Sequence, residues 1–176
     1  MIIFKQVSKE SELRQILELQ QQNLNAVLEA SERKQEGFVT VAHTFDILKD
    51  MNQACPHIIA MSSGQVVGYA LSMHPKFANT IDVLKPMFYE INRTLPKIEN
   101  YLVMGQICIA KAYRKQGIFR KLYETMQNSI APTYKSIITE VDARNTRSID
   151  AHYAIGFKLL KSYQYDGQQW QLIILA

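Results

Sequence analysis

The stretch richest in chemistry in this 176-residue chain is Ile107-Cys108-Ile109-Ala110-Lys111-Ala112-Tyr113-Arg114-Lys115-Gln116-Gly117-Ile118-Phe119-Arg120. An apolar run leads into a short basic turn with one glycine, and a helical pattern leaves it. The first N–H groups of a helix have no carbonyl to bond and carry the positive end of its dipole. Gly117 has no Cβ, so an anion can approach that backbone closely. Arg114, Lys115, Arg120 and Lys121 add full charges around the same mouth. Together these parts make a phosphate site. A basic turn before a helix is also a common solvated feature. Neither three spaced glycines nor Gly-Lys-Ser/Thr occurs, which disfavours dinucleotide folds and nucleotide hydrolases.

A second constellation is Asn145-x-x-Ser148-x-x-x-His152-Tyr153-x-x-Gly156-Phe157. Taken as residues alone, Asn145 suits a helix start, and Tyr153 suits packing beside Ile149. Glu140 and Asp142 share one face of a strand, and Glu99 precedes another. Each carboxylate suits solvent as well as proton transfer. His152 and His74 are single histidines, which are ordinarily structural. Cys55 and Cys108 have no metal-ligand spacing, and no base can be assigned beside Cys108 to make it a nucleophile.

The elements that must hold these groups follow from periodicity and turn signals. Ile2 to Val7 reads as a strand. Ser8 caps a helix with Glu10 and Glu12 in its first turn, and its apolar face (Leu13, Ile16, Leu17, Leu24, Val27, Leu28) runs through Leu28 before charged residues lead to Gly37. A second helix starts at Thr44, carries Phe45, Leu48 and Met51, and stops before Pro56. His57–Met61 and Val66–Met73 form a hairpin through Ser62-Ser63-Gly64-Gln65. Asn79–Asn92 has helical spacing broken by Pro86. Tyr101–Ala110 is apolar almost throughout, as expected of a central strand. After the basic turn come a helix ending at Pro132, a strand over Ser136–Asp142, and a short helix over Thr146–Ile155 capped by Gly156. A hairpin of Phe157–Tyr165 and Gln168–Leu175 closes the chain. This order is that of an α/β fold, a mixed sheet with helices on both faces.

With both motifs placed on these elements, the chain resembles the GCN5-related N-acetyltransferase (GNAT) superfamily over roughly residues 57–175. Arg114-x-x-Gly117-x-Phe119 is similar to the family's Gln/Arg-x-x-Gly-x-Gly/Ala motif. Asn145 through Gly156-Phe157 is similar to the Asn…Tyr…Gly-Phe segment after the fifth strand. Phe119 departs from Gly/Ala; it falls on an apolar helix face with Leu122, Tyr123 and Met126, and reads as core. The resemblance implies a splayed, mixed but mostly antiparallel seven-stranded sheet flanked by helices. It implies acetyl-CoA as co-substrate, no metal, and direct transfer to a primary amine of a small molecule or peptide.

By the same resemblance the pyrophosphate of CoA sits on the backbone of Lys115, Gln116, Gly117, Ile118, Phe119 and Arg120, with Arg114 nearby. Its pantetheine arm lies along Ile107, Cys108 and Ile109 where the strand splays, and Asn145 bonds that arm. Tyr153 is the general acid. An amine of Lys-like pKa is mostly protonated at neutral pH, so a base or water relay is required; the residues leave that base open among Glu140, Asp142, Glu99, His152 and His74, and Glu140 is named beside Tyr153 as the catalytic candidate. Residues 76–100, with Phe77, Phe88, Tyr89 and Tyr101, are expected to shape the acceptor pocket. The rival reading is a CoA-binding sensor or assembly module without catalysis.

Bulk properties agree with one soluble domain spanning residues 1–176. The net charge of +4 is mild and its 20 basic residues are dispersed, which argues against nucleic acid as the partner. An RNA-binding domain would need an aromatic-rich ribonucleoprotein motif, which is absent. No apolar run approaches the roughly 18 residues of a membrane helix, and the start is too soon charged for a signal peptide. A cytoplasmic monomer or homodimer is the expectation.

Overall fold

The computed structural model describes residues 1–24, 28–36 and 38–176, without the side chains of residues 33, 35 and 36. The strands are β1 (Ile2–Gln6), β2 (Ile58–Ser62), β3 (Gln65–Met73), β4 (Tyr101–Ile109), β5 (Ser136–Asp142), β6 (Lys158–Tyr165) and β7 (Gln168–Leu175). The helices are α1 (Glu10–Gln21), α2 (Ala30–Glu36), α3 (Phe45–Ala54), α4 (Lys85–Thr94), α5 (Ile118–Ile130) and α6 (Thr146–Tyr153). The strands form one sheet in the order β1-β2-β3-β4-β5-β7-β6. Every neighbouring pair is antiparallel except β4 and β5.

Helices cover both faces. Leu13, Ile16 and Leu19 of α1, Leu48 and Met51 of α3, and Met87, Phe88 and Ile91 of α4 share one core with Ile59, Leu71 and Val103. Ile118, Leu122, Tyr123 and Met126 of α5 and Ile149 of α6 share the other with Ile58, Ala60, Leu102 and Ile137. Adjacent residues of one strand thus feed opposite cores, as the period of two requires. Fully burying a Leu or Ile in such a layer contributes about 1.5–3 kcal/mol.

Three local expectations change. Helix α1 is capped at Lys9 rather than Ser8, because Glu12 reaches back to the N–H groups of both Ser8 and Lys9 at 2.8 and 3.2 Å. It ends at Gln21 rather than running to Leu28. Asn23 Nδ2 donates to Leu19 O at 2.9 Å, and Asn23 O accepts from Val39 N at 3.0 Å, so side-chain and cross-chain bonds replace the next helical turn. Val27 and Gly37 lie outside the described residues. Pro86, expected to break a helix, lies in the first turn of α4, where its missing N–H had no intrahelical partner to lose.

One irregularity in the sheet matters most. Leu71 pairs with Gln106 and Ser72 with Met104, which leaves Gly105 as an extra residue in β4. This bulge inverts the alternation beyond it. Gln106 and Cys108 consequently face the α1 side, while Ile107 and Ile109 pack toward α5 and α6. Next to it the sheet parts: β4 and β5 pair only over Tyr101–Val103 and Ser136–Ile138. Among the described residues no helix is long and apolar enough to cross a membrane.

Burial leaves several titratable groups with shifted pKa values. Desolvation holds His43, His57 and His152 down to about 4, and raises the Glu140 carboxyl to about 7. As pH falls from 6.5 toward 4, the unfolded chain binds protons at three histidines that the folded chain refuses, so stability is lost. Glu140 acts in the opposite sense between 7 and 4.5, because its folded form takes the proton first. Calorimetry should therefore show the melting temperature falling from pH 7 to pH 5. Glu140→Gln, which removes the opposing group, should make that fall steeper.

Candidate functional site

The basic turn folds as a concave anion cradle. Lys115 and Gly117 both adopt left-handed backbone, with φ of 62° and 78°, and Gly117 is the N-cap of α5. A Cβ on Gly117 would meet no atom within 4 Å; it would project into the cleft the glycine lines. The Lys121 N–H closes the first helical turn on Gly117 O at 3.1 Å. The N–H groups ahead of it have no helical carbonyl to bond, and so are available to an anion.

That cleft has a volume of about 460 Å³, and it runs from Arg114, Lys115 and Gly117 past Ile107 to Asn145 and Arg147. The Arg114 guanidinium is aimed by bonds to Ile109 O at 3.0 Å and Asn23 Oδ1 at 2.7 Å. Gly68 of β3 lies beneath it. A Cβ there would stand 3.3 Å from Ile118 Cγ2 and 3.4 Å from Cys108 O, so its small size lets α5 settle close to the sheet.

A second, smaller cavity of about 70 Å³ lies in the gap between β4 and β5. It shares Phe38, Val39, Ile107, Asn145 and Ser148 with the first, and adds Gly105, Gln106, Thr139, Glu140, His152 and Trp170. Glu140 is half-buried and receives a hydrogen bond from Tyr163 Oη on its Oε2. The arrangement is thus an anion cradle, a cleft leading inward, and a carboxyl held near neutrality at the end of the gap.

The chain matches the acetyltransferase (GNAT) family model over residues 13–157. It belongs to this family. As a GNAT protein it is an acyl-CoA-dependent N-acyltransferase. The fold is similar to the ribosomal-protein-S18-alanine N-acetyltransferase from Escherichia coli, at 12% identity and TM-score 0.66 over 99% of this chain and 93% of that one. It is similar to yncA, a putative acetyltransferase from Salmonella typhimurium solved with acetyl-CoA, at 13% identity and TM-score 0.66 over 99% and 93%. It is also similar to a chain of the NatC complex solved with Gag peptide and CoA, at 16% identity and TM-score 0.68 over 99% and 97%. No curated protein matches the chain in sequence.

Of the residues expected at the GNAT cofactor site, Ile107, Cys108, Ile109, Arg114, Lys115, Gly117, Ile118, Phe119 and Asn145 line the cleft. Gln116 and Arg120 do not. Gln116 Nε2 bonds Ala112 O at 3.2 Å, and the Arg120 guanidinium bonds Ala154 O at 3.0 Å on the exposed side. Lys121 pairs with Glu124. Cationic character comes instead from Arg147, which the sequence did not single out; it enters because Asn145 starts α6 against the same wall.

Phe119 is partly buried rather than core. Its ring stacks edge-on against His152 with centroids 4.9 Å apart while forming part of the cleft wall. Asn145 uses both ends of its amide: Oδ1 accepts from Ser148 N at 3.3 Å as the helix cap, and Nδ2 donates to Phe38 O at 3.0 Å. The Cys108 thiol is pushed up to about 12 by burial, so it is no nucleophile.

Tyr153, the expected general acid, lines neither cavity. It is 39% exposed, and its hydroxyl donates to Gln171 Oε1 at 2.7 Å on the surface. One residue of helix is about 100° of rotation, and it is His152 that faces inward. His152 is neutral, with Nδ1–H donating to Ser148 O at 2.7 Å and Nε2 accepting from Tyr123 Oη at 2.8 Å. Of the other expected bases, Asp142 lines the second cavity with Glu140 but is paired with Arg144 at 2.6 Å, Glu99 is exposed, and His74 lies against Tyr134. None of residues 76–100 lines either cavity; Phe38, Val39 and Trp170 do so instead.

Two substitutions check this geometry. Gly117→Val introduces a branched side chain at positive φ within the cradle, and calorimetric titration should show CoA affinity falling tenfold or more. Tyr153→Phe removes a surface bond, so kcat should stay within about twofold and stability within about 1 kcal/mol. A hundredfold loss of kcat would restore Tyr153 to the mechanism.

Proposed function

We propose that this acetyltransferase moves an acetyl group from acetyl-CoA to the primary amine of a small molecule, with Glu140 as the base. Acetyl-CoA supplies the activated acetyl thioester. The observation that carries the reading is the Glu140 carboxyl, which burial holds at about 7 in a cavity of about 70 Å³ that opens off the cofactor cleft.

A carboxyl poised near neutrality is an effective proton acceptor at physiological pH. An ammonium acceptor entering the gap would meet Glu140 beside Phe38, Val39, Val141 and Trp170, with Gln106, Thr139 and Asp142 on the same lining. Losing a proton to Glu140 leaves it a neutral nucleophile. The Gly117 cradle and Arg114, Lys115 and Arg147 hold the phosphates, and Ile107 and Ile109 align the arm along β4. Ser148, which borders both cavities, is the hydroxyl this reading assigns to the developing thiolate.

The narrowness of the second cavity favours a slender amine. Residues 1–176 act as one domain in this reading, as a monomer or homodimer. Two unpaired, buried cysteines suit a reducing compartment such as the cytoplasm.

Thiol release from acetyl-CoA across a panel of small primary amines and short peptides tests the proposal. Small amines should be turned over in preference to peptides. Glu140→Gln should lower kcat/KM by roughly 10²-fold or more with little change in the KM for acetyl-CoA. Peptides turned over in preference to every small amine would overturn the acceptor class.

A further inference from the structure

One hydrogen bond holds Glu140. Tyr163 Oη donates to its Oε2, and among the described residues no other group bonds the carboxylate. Its Oε1 carries no hydrogen bond and is not fully buried, and Glu140 lines the cavity between β4 and β5.

The sheet is built to bring Tyr163 there. Leu159 pairs with Ile173 and Lys161 with Leu172, which leaves Leu160 as an extra residue in β6. Without that bulge Ser162, not Tyr163, would stand opposite Trp170. The bulge inverts the alternation and turns Lys161 and Tyr163 to the face carrying Glu140, which pairs with Leu172 on the other side of β7. Lys161 then bonds Glu90 of α4 at 2.6 Å and pins the strand.

From this geometry we infer that Tyr163 is a positioning residue: its hydroxyl holds the Glu140 carboxylate with one oxygen toward the acceptor and stabilises the anion that takes the amine proton. The inference rests on the reading of Glu140 as the base. A hydrogen bond to the charged form of an acid favours that form, against the burial that disfavours it.

The charged groups of the elements packed around Glu140 are paired or neutral. On β6 and α4, Lys161 and Arg93 pair with Glu90. On β5, Asp142 is paired with Arg144. On α6, His152 is neutral above about 4. Burial, and then the Glu140 charge, push the Tyr163 phenol far above the neutral range.

Carbon-13 carboxyl NMR on glutamate-labelled protein, with the Glu140 resonance assigned by Glu140→Gln, reads this pKa directly. Tyr163→Phe is expected to raise the midpoint by about one unit. The acidic limb of kcat/KM for an amine the enzyme turns over should move with it, while the KM for acetyl-CoA stays. Fluorotyrosine at position 163, a stronger donor, should lower the midpoint. A folded Tyr163→Phe protein with an unshifted midpoint overturns the inference. If that variant does not fold, an unshifted midpoint in the fluorotyrosine protein overturns it instead. A Glu140→Gln protein with wild-type turnover removes the base, and with it any catalytic meaning for Tyr163.

Discussion

Beyond Val103 and Ile138 the two central strands stop sharing hydrogen bonds, and each is left with backbone groups that must find partners elsewhere. The bulge at Gly105 twists β4 away at that point, and the resulting gap is where both cavities meet. A parallel pair that remained zipped to the end of β4 would bond the β4 backbone to β5 and close the gap. The β4 backbone from Met104 to Ile109 is instead an edge inside the sheet, suited to an extended, amide-bearing ligand.

The gap also divides the chemistry by face. The anion cradle and the cationic groups Arg114, Lys115 and Arg147 lie on the side of α5 and α6, while Glu140 shares its face of the sheet with Lys161, Tyr163 and Trp170. In the proposed function, the polyanionic cofactor and the amine would approach from opposite sides of one layer. Burial sets the protonation states on each side. It keeps His152 neutral and holds Glu140 near 7, so acid and base character here come from desolvation rather than from charge pairs.

A loop of few residues ties these parts together. Phe38 O is bonded by Asn145, Val39 N bonds Asn23 O, and Val41 O is bonded by Gln106. Asn23 in turn receives Arg114 of the phosphate turn. The wall common to both cavities is thus fastened to α6, to the end of α1, to β4 and to the cofactor turn. Asn145 contributes by holding that wall as well as by capping α6.

Much of this was legible in the residues, and what was missed has a common cause. The strand over Ser136–Asp142, the α3 cap at Thr44, the hairpin turns and the phosphate turn depend on local spacing and on Gly, Pro and capping residues, which act within a few positions. The places of Tyr153 and Phe119, the turning away of Gln116 and Arg120, and the entry of Arg147 and Trp170 depend on rotations of about 100° per helical residue and on bulges that invert a strand's faces. Neither is set by a residue's own type. By itself the sequence determined the α/β order, the cradle and the family likeness, because these need only neighbours along the chain. Which of the two carboxylates lining the gap pairs with Arg144, and which is held by a hydroxyl, was decided by tertiary structure. Burial and cross-strand register arise only when segments far apart in the chain, such as β5 and β6, are packed into one sheet.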